Sequence, residues 1–119
     1  MFKLHVLYEA IVVGIYLDIL FRIVNIIFTK TSIFSLFFTG FLKHFLGYYL
    51  YLHTLFCNFR GKNTAIRTKR FLLDCVIEGC IFTIFYYQIK NAFITGFLMH
   101  ILSEYIGLHK LFIKHSCQY

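Results

Sequence analysis

Apolar residues run along the chain in four long stretches, roughly 4–29, 32–59, 71–88 and 91–112, separated by short polar interruptions. At 1.5 Å rise per residue, about 20 helical residues cross a bilayer core of about 30 Å. Each stretch is long enough, the third only just. The turns at Lys30-Thr31 and Ile89-Lys90 are so short that the helices they join must run antiparallel. The pattern therefore predicts an all-α membrane protein with four transmembrane helices arranged as two hairpins. The first hairpin takes residues 1–59 and the second residues 71–119, with a linker at 60–70. That linker, RGKNTAIRTKR, is the one clearly polar segment and holds five cations and no acid.

Composition narrows the class further. Of 119 residues 60% are hydrophobic and 14% charged, against about 45–50% and about 25% in soluble domains. A soluble globule is excluded, and a chain this apolar does not stay disordered. The cations also set an orientation. Lys3, Arg60, Lys62, Arg67, Lys69, Arg70, Lys110 and Lys114 belong to the termini and the linker, whereas the two hairpin turns carry only Lys30 and Lys90. Eight against two puts both termini on the cytoplasmic-equivalent side. Glu9 and Asp18 interrupt the first stretch and no small-residue cleavage pattern ends it, so it reads as a retained span rather than a signal peptide. Cys57 and Cys117 then fall on a reducing side, where disulfides are not expected. With no CxxC in the chain, the cysteines, Cys75 and Cys80 included, read as small buried hydrophobes.

Residues 39–56, TGFLKHFLGYYLYLHTLF, recur as residues 95–112, TGFLMHILSEYIGLHKLF, with eleven of eighteen positions identical at an offset of 56. At offset 65, Glu9-x4-Gly14 matches Asp74-x4-Gly79. The chain thus reads as a duplicated hairpin, and a repeat of two spans gives halves related by a pseudo-two-fold axis along the membrane normal. Helical spacing separates two stripes on the even-numbered helices. Gly40, His44, Gly47 and Tyr51 correspond to Gly96, His100, Ser103 and Gly107. Small residues let backbones approach in lipid, so helices two and four are expected to meet along Gly40, Gly47, Gly96 and Ser103. The larger stripe, Leu42, Leu46, Tyr49, His53 and Phe56 with its recurrence from Leu98 to Phe112, is expected to face the odd-numbered helices. Ala10 with Gly14 and Cys75 with Gly79 are small pairs on those helices.

All five acids, Glu9, Asp18, Asp74, Glu78 and Glu104, lie within the apolar stretches. Each needs a partner, since a charge at the centre of a spanning helix costs roughly 2.5–3.5 kcal/mol. Asp18 and Arg22 are spaced to pair along one helix face. Counting outward from the first turn brings Glu9 and His53 to nearly equal depth, and in the second hairpin Asp74 can reach His109 or Tyr105. Both pairings read as structural glue, with a proton or metal relay as the alternative. His44 and His100 occupy equivalent positions and would face one another across the small stripe. Facing histidines can ligate haem, but a glycine seam leaves no room for a macrocycle, so no cofactor and no metal are assigned. Because His44 and His53 are nine residues apart on one continuous helix, they point to opposite faces. Glu104, one turn after His100, could join both histidines in a metal site, an asymmetric one because Tyr48 is its counterpart.

No Gly-rich phosphate loop, GxSxG or HExxH occurs, and no enzyme activity is expected. Arg60, Lys62, Arg67, Lys69 and Arg70 are candidates for contact with anionic lipid headgroups, each cation near an acidic membrane being worth about 1 kcal/mol. Few aromatics flank them, so nucleic acid is not an expected partner.

The repeated motif HILSEYIGLHKLF, with HFLGYYLYLHTLFC before it, resembles a pattern of small multi-pass membrane proteins of giant double-stranded DNA viruses. In that pattern a helix reads H-x-x-x-E-Y-x-G-hydrophobic-N, followed by an aromatic pair and Cys. His100, Glu104, Tyr105 and Gly107 match in the second copy, and His44, Tyr49 and Cys57 in the first. His53 and His109 stand where the pattern has Asn, and the likeness covers only the even-numbered helices. It implies a component of a viral internal membrane. Three functions compete on these residues: a structural or scaffolding membrane protein that binds other virion proteins or itself, a small oligomeric transporter or channel, and a haem- or metal-binding membrane protein.

Overall fold

The computed structural model describes residues 4–50, 52–63, 65–66 and 69–117. Lys3, Tyr51 and Arg67 lie outside the described residues. Helices α1 (Leu4–Phe28), α2 (Ile33–Tyr49), α3 (Leu52–Phe59), α4 (Phe71–Ile89), α5 (Ala92–Ile106) and α6 (Leu108–Ser116) account for nearly all of the rest. Among the described residues the one β feature is an isolated antiparallel bridge between Ala65 and Cys117. Two of the helices, α1 and α4, are long and apolar enough to cross a membrane. Together α2 and α3 also pass that test, but they are bent by 70° at the break between them.

Local chemistry sets these boundaries. The first turn reverses through Thr29 in the left-handed region (φ 66°), and Ser32 then caps α2 in a capping box with Ser35. At the second turn Lys90 is left-handed (φ 60°) and the Asn91 side chain accepts from the Ile94 N–H. Each side-chain cap satisfies backbone donors that a helix start leaves open. Both turns fall where the sequence puts them. The two even-numbered stretches, by contrast, are each broken near their ends, after Tyr49 and at Gly107 (φ 91°). A Cβ on Gly107 would meet nothing within 4 Å, so glycine is needed there for its backbone freedom and not for space.

The four longer helices form a ring in which α1 touches α2 and α5, and α4 touches α2 and α5. The even stretches therefore sit on a diagonal, and the expected seam between helices two and four is not formed. Instead each small stripe meets the odd helix of the other half. A Cβ on Gly40 would lie 2.7 Å from Gly79 Cα, and one on Gly96 would lie 3.2 Å from Gly14 Cα. Reciprocally, Gly79 is approached by the Phe37 carbonyl oxygen and Gly14 by that of Phe93, at 2.7 and 2.9 Å from where a Cβ would be. Phe37 and Phe93 are 56 positions apart, and Gly14 and Gly79 are 65 apart. Burial follows the same offsets: Ala10 with Cys75, Leu17 with Phe82, Thr39 with Thr95, and His44 with His100 are all buried.

The larger stripe is corrected as well. Leu98, Leu102 and Tyr105 are 38%, 45% and 57% exposed, so this part of the stripe turns outward on the second copy instead of facing the odd-numbered helices. Lipid rewards close backbone approach and gives large apolar side chains no reason to leave it. Gly47 also has a different role from the one expected. A Cβ there would lie 2.7 Å from His53 Nε2, so this glycine makes room for a side chain folding back from α3. Ser103, its counterpart, is half-buried and lines the cavity described below.

Cys57 and Cys117 are joined by a disulfide, against the expectation of free thiols. The breaks that start α3 and α6 bring their C-terminal ends together, with the two Cα atoms 5.6 Å apart. Cys75 and Cys80 are free, the first buried and the second exposed.

Candidate functional site

The breaks at the ends of α2 and α5 determine where the histidines go. In a continuous helix His44 and His53 would point apart. With α3 turned back, their rings lie 4.7 Å apart, and the equivalent His100 and His109 lie 4.3 Å apart. Each repeat thus closes a histidine clasp. Phe112 of the second repeat packs edge-on against His53 at 5.1 Å, and Phe56 of the first meets His109 in a tilted arrangement at 5.2 Å. Phe56 and Phe112 themselves meet at 5.5 Å, joining the two clasps. His44 and His100 do not face one another as the small-stripe seam required, because that seam is absent.

Each clasp has its own charged partners. In the second, Arg60 donates from Nε to Glu9 Oε2 (3.0 Å) and from Nη2 to Glu9 Oε1 (2.6 Å), and also from Nη2 to Glu104 Oε1. His100 Nε2 lies 3.0 Å from Glu9 Oε1, and His109 Nδ1 lies 2.9 Å from Glu104 Oε1. An ionised carboxylate only accepts, so these two nitrogens carry the ring protons. Burial on its own would lower the Arg60 pKa. Its hydrogen bonds to Glu9 and Glu104 outweigh that and raise it above the ordinary arginine value. The guanidinium is permanently charged in this setting.

In the first clasp, Lys43 Nζ donates to both Glu78 oxygens at 3.0 and 3.2 Å, and His44 Nδ1 lies 3.7 Å from Glu78. The Tyr16 hydroxyl donates to the Lys43 carbonyl at 2.9 Å, tying α1 to α2. One cavity of about 1420 Å³ reaches both clasps and is lined by Glu9, His100 and His109 on one side and by His44, His53 and Glu78 on the other. The chain matches no protein-family model, no curated protein and no solved structure.

Several sequence-based pairings are corrected by this geometry. Glu9 bonds Arg60 and His100 instead of His53, because the bend after α2 swings His53 towards His44. His109 bonds Glu104 instead of Asp74, for the same reason at Gly107. Asp74 lines the cavity. Arg60 is no lipid contact, since its side chain is turned inward and is only 12% exposed. Lys69 and Arg70 are exposed. The Asp18–Arg22 pair forms as expected, at 3.1 Å. Lys43 is absent from the residues singled out by sequence, although a lone cation within an apolar stretch is a signal that an acid must face it. Its partner, Glu78, needs a cation on another helix by the same logic.

Proposed function

We propose that the protein is a structural integral membrane protein, a duplicated hairpin of four membrane-crossing segments whose halves are related by a pseudo-two-fold axis. It holds other membrane or virion proteins, or further copies of itself, at a bilayer. The observation that carries this reading is the inverted surface. Ile11, Val12, Ile15, Ile19 and Ile23 of α1 and Leu72, Leu73, Val76 and Ile77 of α4 are exposed, while Glu9, Glu78 and Glu104 turn inward to partners. In water such a surface would aggregate; in lipid it is an ordinary outer face. The recurrence of the glycine contacts and histidine clasps at the repeat offsets supports the duplication. The short α5 spans by local thinning of the bilayer, and α3 and α6 lie at the headgroup level with Lys110 and Lys114 in water. The resemblance to giant-virus membrane proteins points to the internal bilayer of a virion. Detecting the chain in purified particles supports that location, and finding it only in host membranes removes it.

The cation balance puts the termini and the linker on the cytoplasmic-equivalent side, whereas a disulfide at the same end favours an oxidising environment. An Asn63→Cys variant separates the two. A membrane-impermeant maleimide should label the introduced thiol in inverted vesicles and not in right-side-out ones. Labelling of intact vesicles from outside would reverse the orientation.

A second reading, transport through an oligomer, is favoured by the cavity that reaches both clasps. Proton or cation flux into liposomes carrying the purified protein tests it, with empty liposomes as the baseline.

A further inference from the structure

We infer that Glu9, His100 and His109 form a binding site for one divalent transition-metal ion of the zinc type, with Arg60 as the internal cation that competes for it. One ligand atom from each of the three residues lies within 4.8 Å of the others. Donor atoms sharing a tetrahedral zinc are roughly 3.3 Å apart, given bonds of about 2.0–2.2 Å. Movements of under about 1 Å per side chain close that gap. Imidazole and carboxylate are the donor types such ions prefer over calcium or magnesium, which take oxygen ligands.

Three further features support a site rather than a chance cluster. First, the ligands come from α1, α5 and α6, so the set exists only because Gly107 turns α6 back. Second, the His109 Nδ1–H bond to Glu104 is the carboxylate–histidine arrangement that orients a ligating imidazole, and it leaves Nε2 free for metal. Third, the charges balance. Glu9 and Glu104 with Arg60 leave one negative charge among buried groups, while a divalent ion in place of the guanidinium leaves none. His100 stays neutral by carrying its proton on Nδ1 when Nε2 turns to the ion. Arg60 can withdraw, because it sits in the turn after α3 and is followed by Gly61, which has φ 82° and open space around it. The first clasp provides an internal control. Its Glu78 is held through both oxygens by Lys43, and His44 and His53 complete no comparable ligand set among the described residues.

The test is titration of Zn²⁺ into the full chain, purified in detergent with its disulfide intact and stripped with a chelator, followed by calorimetry. Co²⁺ absorption serves as a second readout that needs no variant. One Zn²⁺ should bind per chain, and Co²⁺ should give the intense visible bands of a low-coordinate nitrogen and oxygen site. Glu104→Gln should weaken binding about ten- to a hundred-fold, Arg60→Gln should tighten it, and His53→Ala should leave it unchanged. Absence of saturable binding by the unaltered chain overturns the inference. So does one-site binding that survives His109→Ala, or that is lost in a folded His53→Ala variant.

Discussion

Gly40→Leu is expected to prevent the ring of α1, α2, α4 and α5 from assembling, whereas Leu98→Ala should leave it intact. Even the first added carbon would lie 2.7 Å from Gly79 Cα and 2.8 Å from both the Glu78 carbonyl oxygen and Phe82 Cβ. Two of those three atoms are backbone, so no rotamer change relieves the clash. Overpacking a soluble core by a few methylenes costs about 1–3 kcal/mol. Here the helices must separate, and the exclusion of water that would otherwise restore contact is missing in lipid. Leu98 is 38% exposed, and trimming it removes little packing. Thermal unfolding in detergent, followed by circular dichroism and size-exclusion chromatography, distinguishes the two variants. A Gly40→Leu protein as stable as the unaltered chain would mean that α2 and α4 do not pack this closely.

Arg60→Ala should be the most damaging change among the cations, in contrast to Lys69→Ala and Arg70→Ala. Its loss leaves Glu9 and Glu104, 9% and 22% exposed, without the guanidinium they share. Removing one partner of a buried ion pair costs about 3–5 kcal/mol, mostly the penalty on the charge left behind. Arg60→Lys should recover only part of that, since an ammonium cannot hold both Glu9 oxygens in a planar fork. A triple variant, Glu9→Gln and Glu104→Gln with Arg60→Ala, should be more stable than Arg60→Ala alone. Denaturant titration in micelles measures all of these. Additive losses in the triple variant would show that the three side chains do not act as a unit.

Much of this architecture is legible in the sequence, and what is not has identifiable causes. The turns at Lys30 and Lys90 are marked by breaks in apolarity. The small stripes are visible in the sequence, but not their partners. A repeat presents the same stripe twice, and period alone does not say whether Gly40 meets Gly96 or the equally small Gly79. The helix breaks are hidden because apolar residues run on through Tyr49-Leu50 and Ile106-Gly107-Leu108. That one omission turns the nine-residue spacing of His44 and His53 into opposite faces, and so misassigns the partners of Glu9 and His109. Arg60 sits in a run of cations that all read as topological, and nothing in its spacing distinguishes the one that turns inward.

The crossed glycine contacts bear on how such a chain could arise. Gly40 lies against Gly79 and Gly96 against Gly14, so these backbone approaches run between halves. A single hairpin would carry one complete copy of each complementary stripe, and a second copy of that hairpin could satisfy both by rotation about one axis, as in any isologous dimer. On the proposed duplication, the present chain would be the covalent form of such a pair, its two halves free to diverge, so that one clasp carries Lys43 and the other Arg60 with a second carboxylate, Glu104.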